Sequence, residues 1–311
     1  MPEQTPETPF APLVGNSPEL QTTLRAASIV SSADVTVLIS GETGTGKKLL
    51  ARSLHNGSPR AGQPFIAVNC AGYTDEHADA ELFGETHGDG LVQRAEGGTL
   101  FLDQISDLPA QAQGKLLRLL EQGEIHQTDA SQPTRVNVRI IAASHKGLYE
   151  LVKKGSFRKD LYYRLAVVPL ELPPLRERQG DTVQLARHFI EELSTQHQLQ
   201  APKLSKSSLQ RLGQYRWPGN VLELRNLCER LCILLPGQTI QPTNLGLPED
   251  MPQADTGFRL PASGIQLETL EQDAIRQALN MTGGNKSQAA RLLGITRDTL
   301  LYRLKKYALS S

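Results

Sequence analysis

The run Gly41-Glu42-Thr43-Gly44-Thr45-Gly46-Lys47-Lys48 follows an apolar stretch that ends at Ile39. Three glycines opening into a helix let backbone N–H groups and the helix N-terminus cradle phosphates, with Lys47 adding charge. Farther along, Thr99-Leu100-Phe101-Leu102-Asp103-Gln104 reads as a buried strand that ends in a metal-binding carboxylate. Together the two segments specify a nucleoside triphosphate site, with ATP and Mg2+ as the expected ligands. Beside such a carboxylate, an enzyme that hydrolyses ATP usually places a glutamate to deprotonate the attacking water. This chain has Gln104 there.

The elements that must hold these residues are legible in the pattern. Apolar runs rich in Val and Ile fall at 35–40, 65–69, 99–103, 138–143 and 165–170, as strands buried on both faces should, with a helix at 110–122 among them. After Leu172-Pro173-Pro174-Leu175 the strand signals stop, and helices are expected at 182–196, 206–215 and 221–235. The expected organisation is a tail (1–11), an α/β nucleotide-binding core (12–178), a helical lid (179–246), a linker (247–264) with Pro248, Pro252, Gly257, Pro261 and Gly264, and a separate C-terminal module (265–311). The 311 residues suffice for one sizeable core and small helical modules.

Composition narrows the classes. Thirty-three basic residues balance thirty-three acidic ones, so nucleic-acid binding needs local clustering rather than a global field. No apolar run approaches the ~18 residues of a membrane span, and the proline-rich N-terminus lacks the features of a signal peptide. A cytosolic protein with no membrane partner is expected. Three cysteines form no disulfide framework, and Cys228 and Cys232, one helical turn apart, read as buried packing.

The clustering occurs near the C-terminus. A helix with Leu267, Leu270, Ala274, Ile275, Ala278 and Leu279 on its apolar face should end at Gly283-Gly284. A second starts at the N-cap Asn285 and stops at Gly294, and a third starts at the N-cap Thr296, with Leu300, Leu304 and Tyr307 buried and Thr299, Arg303 and Lys306 on the opposite face. From 285 to 307, Lys286, Arg291, Arg297, Arg303, Lys305 and Lys306 face Asp298 alone. Helix, glycine turn and helix is the helix-turn-helix arrangement.

Several further segments carry a family resemblance: Asn69-Cys70-Ala71, Glu81-Leu82-Phe83-Gly84, Gly97-Gly98, the stretch from Phe157 to Leu165, Leu172-Pro173-Pro174-Leu175-Arg176-Glu177-Arg178 and Trp217-Pro218-Gly219-Asn220-Val221. In this order they resemble the AAA+ domain of the bacterial enhancer-binding proteins, the activators of sigma-54 RNA polymerase. The segment from Asn285 to Tyr307 resembles the Fis-type DNA-binding domain that closes those proteins. The resemblance implies an AAA+ P-loop core with a parallel sheet, a small helical lid and a C-terminal all-α helix-turn-helix domain. It places Lys47 on the β- and γ-phosphates, Asp103 on Mg2+, Arg158 and Arg164 as fingers reaching into a neighbouring subunit, Asn69 as the residue that positions the catalytic glutamate, and His145 at the sensor after the fourth strand. It further implies a dimer or ring, a palindromic double-stranded DNA site, RNA polymerase as partner, and a bacterial, nucleoid-associated location. Arg297, Asp298, Thr299 and Arg303 are candidates for base edges, Lys286, Ser287, Lys305 and Lys306 for phosphates, and Thr296 and Tyr302 complete the set.

The sequence departs from the family at four points. Gln104 replaces the glutamate, Leu222 stands where a second sensor arginine is expected with Arg225 farther along, and Lys48 replaces the family's glutamate. Between Gly84 and Gly97 the family's sigma-54 contact loop is absent, and a short segment holding His87 and Asp89 reads as a polar glycine turn. Loss of that loop accompanies control of sigma-70 promoters in a minority of the family. Only about a dozen residues precede Leu13-Val14-Gly15, so no sensory domain is expected ahead of the core. The implied function is a DNA-binding regulator that binds ATP and oligomerises, with hydrolysis and sigma-54 engagement impaired. The alternatives are a working sigma-54 activator or a subunit that modulates a mixed ring with an intact paralogue.

Overall fold

The computed structural model describes residues 9–85, 88–125, 132–145, 147–248 and 267–307. The first eight residues of the expected tail, nearly all of the expected linker, and His87 lie outside them. Residues 1–247 and 248–311 form two compact units.

The first unit is built on a five-stranded parallel sheet of β1 (Val37–Ser40), β2 (Phe65–Asn69), β3 (Thr99–Asp103), β4 (Arg139–Ser144) and β5 (Val168–Glu171), ordered β2-β3-β4-β1-β5. Helices α1 (Pro18–Ser31) and α2 (Lys47–Asn56) belong to one face; α3 (Asp75–Phe83), α4 (Leu91–Arg94), α5 (Ala110–Gln122), α6 (Leu148–Lys153) and α7 (Lys159–Leu165) complete the core. The strand period of two sorts the apolar side chains. Val37, Ile39, Phe101, Ile141 and Ala143 pack with Leu20, Ala27, Leu50 and Leu54, while Leu38, Leu100, Leu102, Ile140 and Ala142 pack with Phe83, Leu116 and Leu161. Unbroken apolar runs are what burial on both faces requires.

The fifth strand begins three residues later than the sequence pattern suggests. Leu165 closes α7 rather than opening a strand, because Leu161 and Leu165, four apart and both fully buried, follow helical spacing into the core.

Beyond the sheet lies the lid, with α8 (Asp181–Gln196), α9 (Lys206–Gln214) and α10 (Asn220–Leu234). Trp217 is fully buried at its centre, where Nε1–H donates to the Leu212 carbonyl at 2.9 Å and Tyr215 meets the ring edge-on. Cys228 and Cys232 are buried in this core, and burial pushes the Cys228 thiol up to about 12. The carboxylate of Asp181, at the start of α8, accepts from the Asn16 and Ser17 N–H groups (2.7 and 2.9 Å) and from the Ser17 hydroxyl (2.8 Å).

After α3, Gly84–Glu85 pairs with Gly88–Asp89 in a minimal antiparallel ladder. Gly90 follows so closely that a Cβ there would lie 2.4 Å from the Gly84 nitrogen.

The second unit holds α11 (Leu267–Met281), α12 (Lys286–Leu292) and α13 (Arg297–Lys306) around Ile275, Ala278, Leu279, Ala289, Ala290, Leu300 and Leu304. Leu267, expected on the buried face, is 75% exposed, one turn or more before the packed stretch begins. Among the described residues, no helix is long and apolar enough to cross a membrane.

Candidate nucleotide site and DNA-facing helix

The sheet register brings the chemistry to one edge. Asn69 pairs with Asp103 and Ser40 with Ser144, so the segments after β1, β3 and β4 leave the sheet side by side. After β1 the chain must turn tightly over the start of α2. Gly46 caps that helix at φ 104°, and Gly44, at φ 80°, lets the lid approach until a Cβ would be 2.2 Å from the Gly219 carbonyl. The Lys47 side chain is buried, and its ammonium donates to the Gly41 and Glu42 carbonyls at 2.8 and 2.9 Å. Desolvation lowers its pKa, partly offset by the Asp103 carboxylate.

The lid is fastened to this loop. Arg176 grips the Glu42 carboxylate with two bonds of 2.8 and 2.7 Å. Asn220 donates from Nδ2 to Glu42 and to the Thr43 carbonyl, and its Oδ1 accepts from the Leu175 N–H. The Arg176 and Asn220 hydrogen bonds hold the Glu42 carboxyl down at about 2. The Leu222 N–H donates to the Gly44 carbonyl at 3.2 Å.

Between core and lid lies a cavity of about 630 Å³. Thr43, Gly44, Gly46 and Lys47 line it from the loop, Lys48, Leu49 and Arg52 from α2, Asp103, Gln104 and His145 from the strand ends, and Val221, Leu222 and Arg225 from α10. Most expected nucleotide-site residues therefore meet in one place. Gly41, Glu42 and Thr45 do not line the cavity but shape its wall, Thr45 by donating its hydroxyl to the Glu42 carbonyl. Gln104 sits in left-handed backbone at φ 55°, with its N–H on the Asp103 carboxylate at 3.0 Å. His145 Nδ1 is buried without a hydrogen-bond partner among the described residues. Asn69 accepts the Ala71 N–H and lies outside the cavity lining.

Arg158 and Arg164 are also elsewhere. Arg158 is paired with Asp160 at 2.8 Å and Arg164 with Glu121 at 3.2 Å, both at the surface.

Sequence reasoning did not single out Arg52, Asn220 or Arg176. Arg52 had a readable signal, since it lies four residues after Lys48 and shares its side of α2. The roles of Asn220 and Arg176 depend on contacts with Glu42 across more than 130 residues, for which no local signal exists.

The fold family implies a magnesium ion beside Asp103. The donor set here fits it poorly: among the described residues Asp103 is the one carboxylate in the cavity lining, Gln104 is an amide, and an ammonium stands at position 48 where a hydroxyl or carboxylate would serve a metal.

In the C-terminal unit, Asn285 caps α12 by accepting from the Ser287 and Gln288 N–H groups, and Thr296 caps α13 by accepting from Thr299 N–H. The outward face of α13 differs from the expected one. Arg297, Asp298, Leu301, Tyr302 and Lys305 are exposed, Tyr302 at 69%, with Lys286 and Ser287 lying nearby in sequence on α12. Arg303 instead pairs with Glu271 of α11, and Lys306 reaches Glu268 at 3.0 Å. The reason is angular: Arg303 is three residues beyond buried Leu300, so it flanks the packed stripe instead of opposing it.

Comparison with known proteins gives three consecutive matches: "Sigma-54 interaction domain" over residues 13–171, "AAA+ ATPase lid domain" over 176–257, and "Bacterial regulatory protein, Fis family" over 266–307. The transcriptional regulatory protein ZraR of Klebsiella oxytoca is 40% identical across 97% of this chain and 70% of its own length. The DNA-binding transcriptional regulator NtrC of Azospirillum brasilense is 38% identical across 94% of this chain and 69% of its own. A crystal structure of NtrX from Brucella abortus in complex with ADP superposes with a TM-score of 0.73 at 31% identity, over 95% of this chain and 70% of that one; its counterpart in complex with ATP gives 0.72. The chain thus belongs to the sigma-54-dependent activator family, with an ATP-binding AAA+ domain, its lid and a Fis-type DNA-binding helix-turn-helix.

Proposed function

We propose that this protein is a DNA-bound transcriptional regulator whose AAA+ domain binds ATP and self-associates but hydrolyses slowly, and which lacks the usual loop for sigma-54. The observation that carries the reading is Gln104. It occupies the end of β3 beside Asp103, where its amide can hydrogen-bond a water but cannot take its proton. Loss of general-base help costs ~10²- to 10⁴-fold in rate. The two-residue ladder at Gly84–Asp89 agrees with this, because it offers no projecting arm to another protein.

In this reading Lys47 holds the β- and γ-phosphates and Asp103 accepts hydrogen bonds at the mouth of the site. Arg158 and Arg164 reach a neighbour's nucleotide once released from Asp160 and Glu121, so that ATP promotes assembly without rapid turnover. Arg297, Asp298, Thr299 and Tyr302 face base edges of a palindromic site, while Lys286, Ser287 and Lys305 hold phosphates.

Steady-state phosphate release by the native chain and by Gln104→Glu tests the proposal. Native turnover well below ~1 s⁻¹, within the slow end for enzymes, with a gain in the variant, is expected. Brisk native turnover would defeat it.

A second reading, a working ATPase, draws on Arg225. It lines the cavity one turn beyond Leu222 and stands 3.8 Å from both Glu192 and Glu229, close enough to the site to replace the missing lid cation. Arg225→Ala would then abolish measurable turnover.

A further inference from the structure

We propose that the cavity takes the nucleoside triphosphate as the metal-free polyanion, with the Lys48 ammonium standing where a magnesium ion would otherwise be required. This rests on the reading of the cavity as a nucleotide site and deepens it.

Three observations support the inference. First, α2 opens with Lys47 and Lys48 as its two leading residues, with no acidic residue in its first turn. Cations at the positive end of a helix dipole are unfavourable, and an arriving anion relieves such an arrangement. The Lys47 ammonium is occupied by two carbonyls, whereas that of Lys48, among the described residues, has no hydrogen bond or ion pair.

Second, the cavity wall is dominated by positive charge. Among the described residues that line it, Lys47, Lys48, Arg52 and Arg225 face Asp103 as the single carboxylate. Arg52 follows Lys48 by one turn on the same side of α2 and lies 4.3 Å over the Phe65 ring. Arg225 stands 3.8 Å from both Glu192 and Glu229, so it is the other three cations that repel an entering dication and attract a triphosphate.

Third, two substitutions act in one direction. The amide of Gln104 leaves Asp103 without a second anion beside it, and Lys48 installs a cation at the place after the phosphate-binding lysine where P-loops carry the metal's hydroxyl ligand. The Thr45 hydroxyl is buried and committed to the Glu42 carbonyl, so it does not replace that ligand.

The test is equilibrium binding of a fluorescent ATP analogue to the full chain, by anisotropy, in excess magnesium and in excess EDTA. The native chain should bind with dissociation constants less than about fivefold apart, under 1 kcal/mol. Lys48→Thr, a change at an exposed position that leaves the fold intact, should lose about tenfold or more in EDTA and regain affinity with magnesium. Native binding weakened more than about fivefold by EDTA would overturn the inference, as would a Lys48→Thr variant indifferent to the metal. Absence of native binding in both buffers would remove the nucleotide site itself and this inference with it, a result distinct from metal-dependent binding.

Discussion

The Nδ2 of Asn220 lies 3.1 Å from Oε2 of Glu42, joining the first residue of the lid helix α10 to the phosphate-binding loop. Asn220 is fully buried and sits at φ 54°, a left-handed conformation that asparagine tolerates better than most residues. Its three side-chain bonds tie together Glu42, Thr43 and Leu175, so it fastens lid to loop alongside Arg176 and the Leu222 amide.

Replacing Asn220 with alanine should therefore cost ~1 to 3 kcal/mol, the penalty for stranding buried polar partners. The Leu222 amide, which bonds to Gly44, should exchange with deuterium much faster in the variant. Unchanged melting and unchanged exchange at that amide would show that the fastening carries no stability.

The same carboxylate makes the fastening sensitive to acid. Glu42 ionises at about 2 in the fold against an ordinary value of 4.5, chiefly because Arg176 and Asn220 donate to it. Its contribution is complete above pH 4.5 and drains away as pH falls from there toward about 2. Its partly exposed position keeps the effect small. Thermal melts across this window should show a steeper acid loss for the native protein than for Glu42→Gln, and parallel curves would rule the effect out.

Gly44→Ala should lift the lid. The new Cβ would meet the Gly219 carbonyl at 2.2 Å in backbone that alanine already disfavours, and the left-handed conformation alone costs ~1 to 2 kcal/mol. Weaker binding of the ATP analogue and a lower melting temperature are expected together. If neither moves, the close approach is not a feature of the protein in solution.

For α13, proposed to face DNA, Tyr302→Ala and Arg303→Ala should separate. Tyr302 is exposed and unburdened by packing, so its loss should weaken specific binding by ~1 to 3 kcal/mol and leave the module's melting alone. Arg303 is tied to Glu271 on α11, so Arg303→Ala should also lower melting, an effect that Glu271→Gln should reproduce. Identical behaviour of Tyr302→Ala and Arg303→Ala in both assays would contradict the assignment of faces.

The parts of this architecture written in local pattern were readable in advance. The double-faced strands from Val37 to Ser40 and Thr99 to Asp103, the helix from Ala110 to Gln122, and the caps Asn285 and Thr296 each rest on spacing within a few residues. The tight glycine turn into α2 was equally plain, because glycines at fixed offsets leave few alternatives. Contacts across the chain were not: Asn220 on Glu42, Arg176 on Glu42 and Arg303 on Glu271 are pairings that no periodicity encodes. The orientation of Arg303 was misjudged because an angular step of about 60° from the buried stripe was treated as a full reversal.

One end of the lid cannot let go as easily as the other. At the start of α8, three donors from Asn16 and Ser17 converge on the buried Asp181 carboxylate, and no change of ligand in the cavity touches them. Release of Asn220, together with the Arg176 grip on Glu42 and the Leu222 amide bond to Gly44, would leave that knot tied, so the lid would swing outward like a door on a single post, carrying Val221, Leu222 and Arg225 away from the glycine loop in one movement.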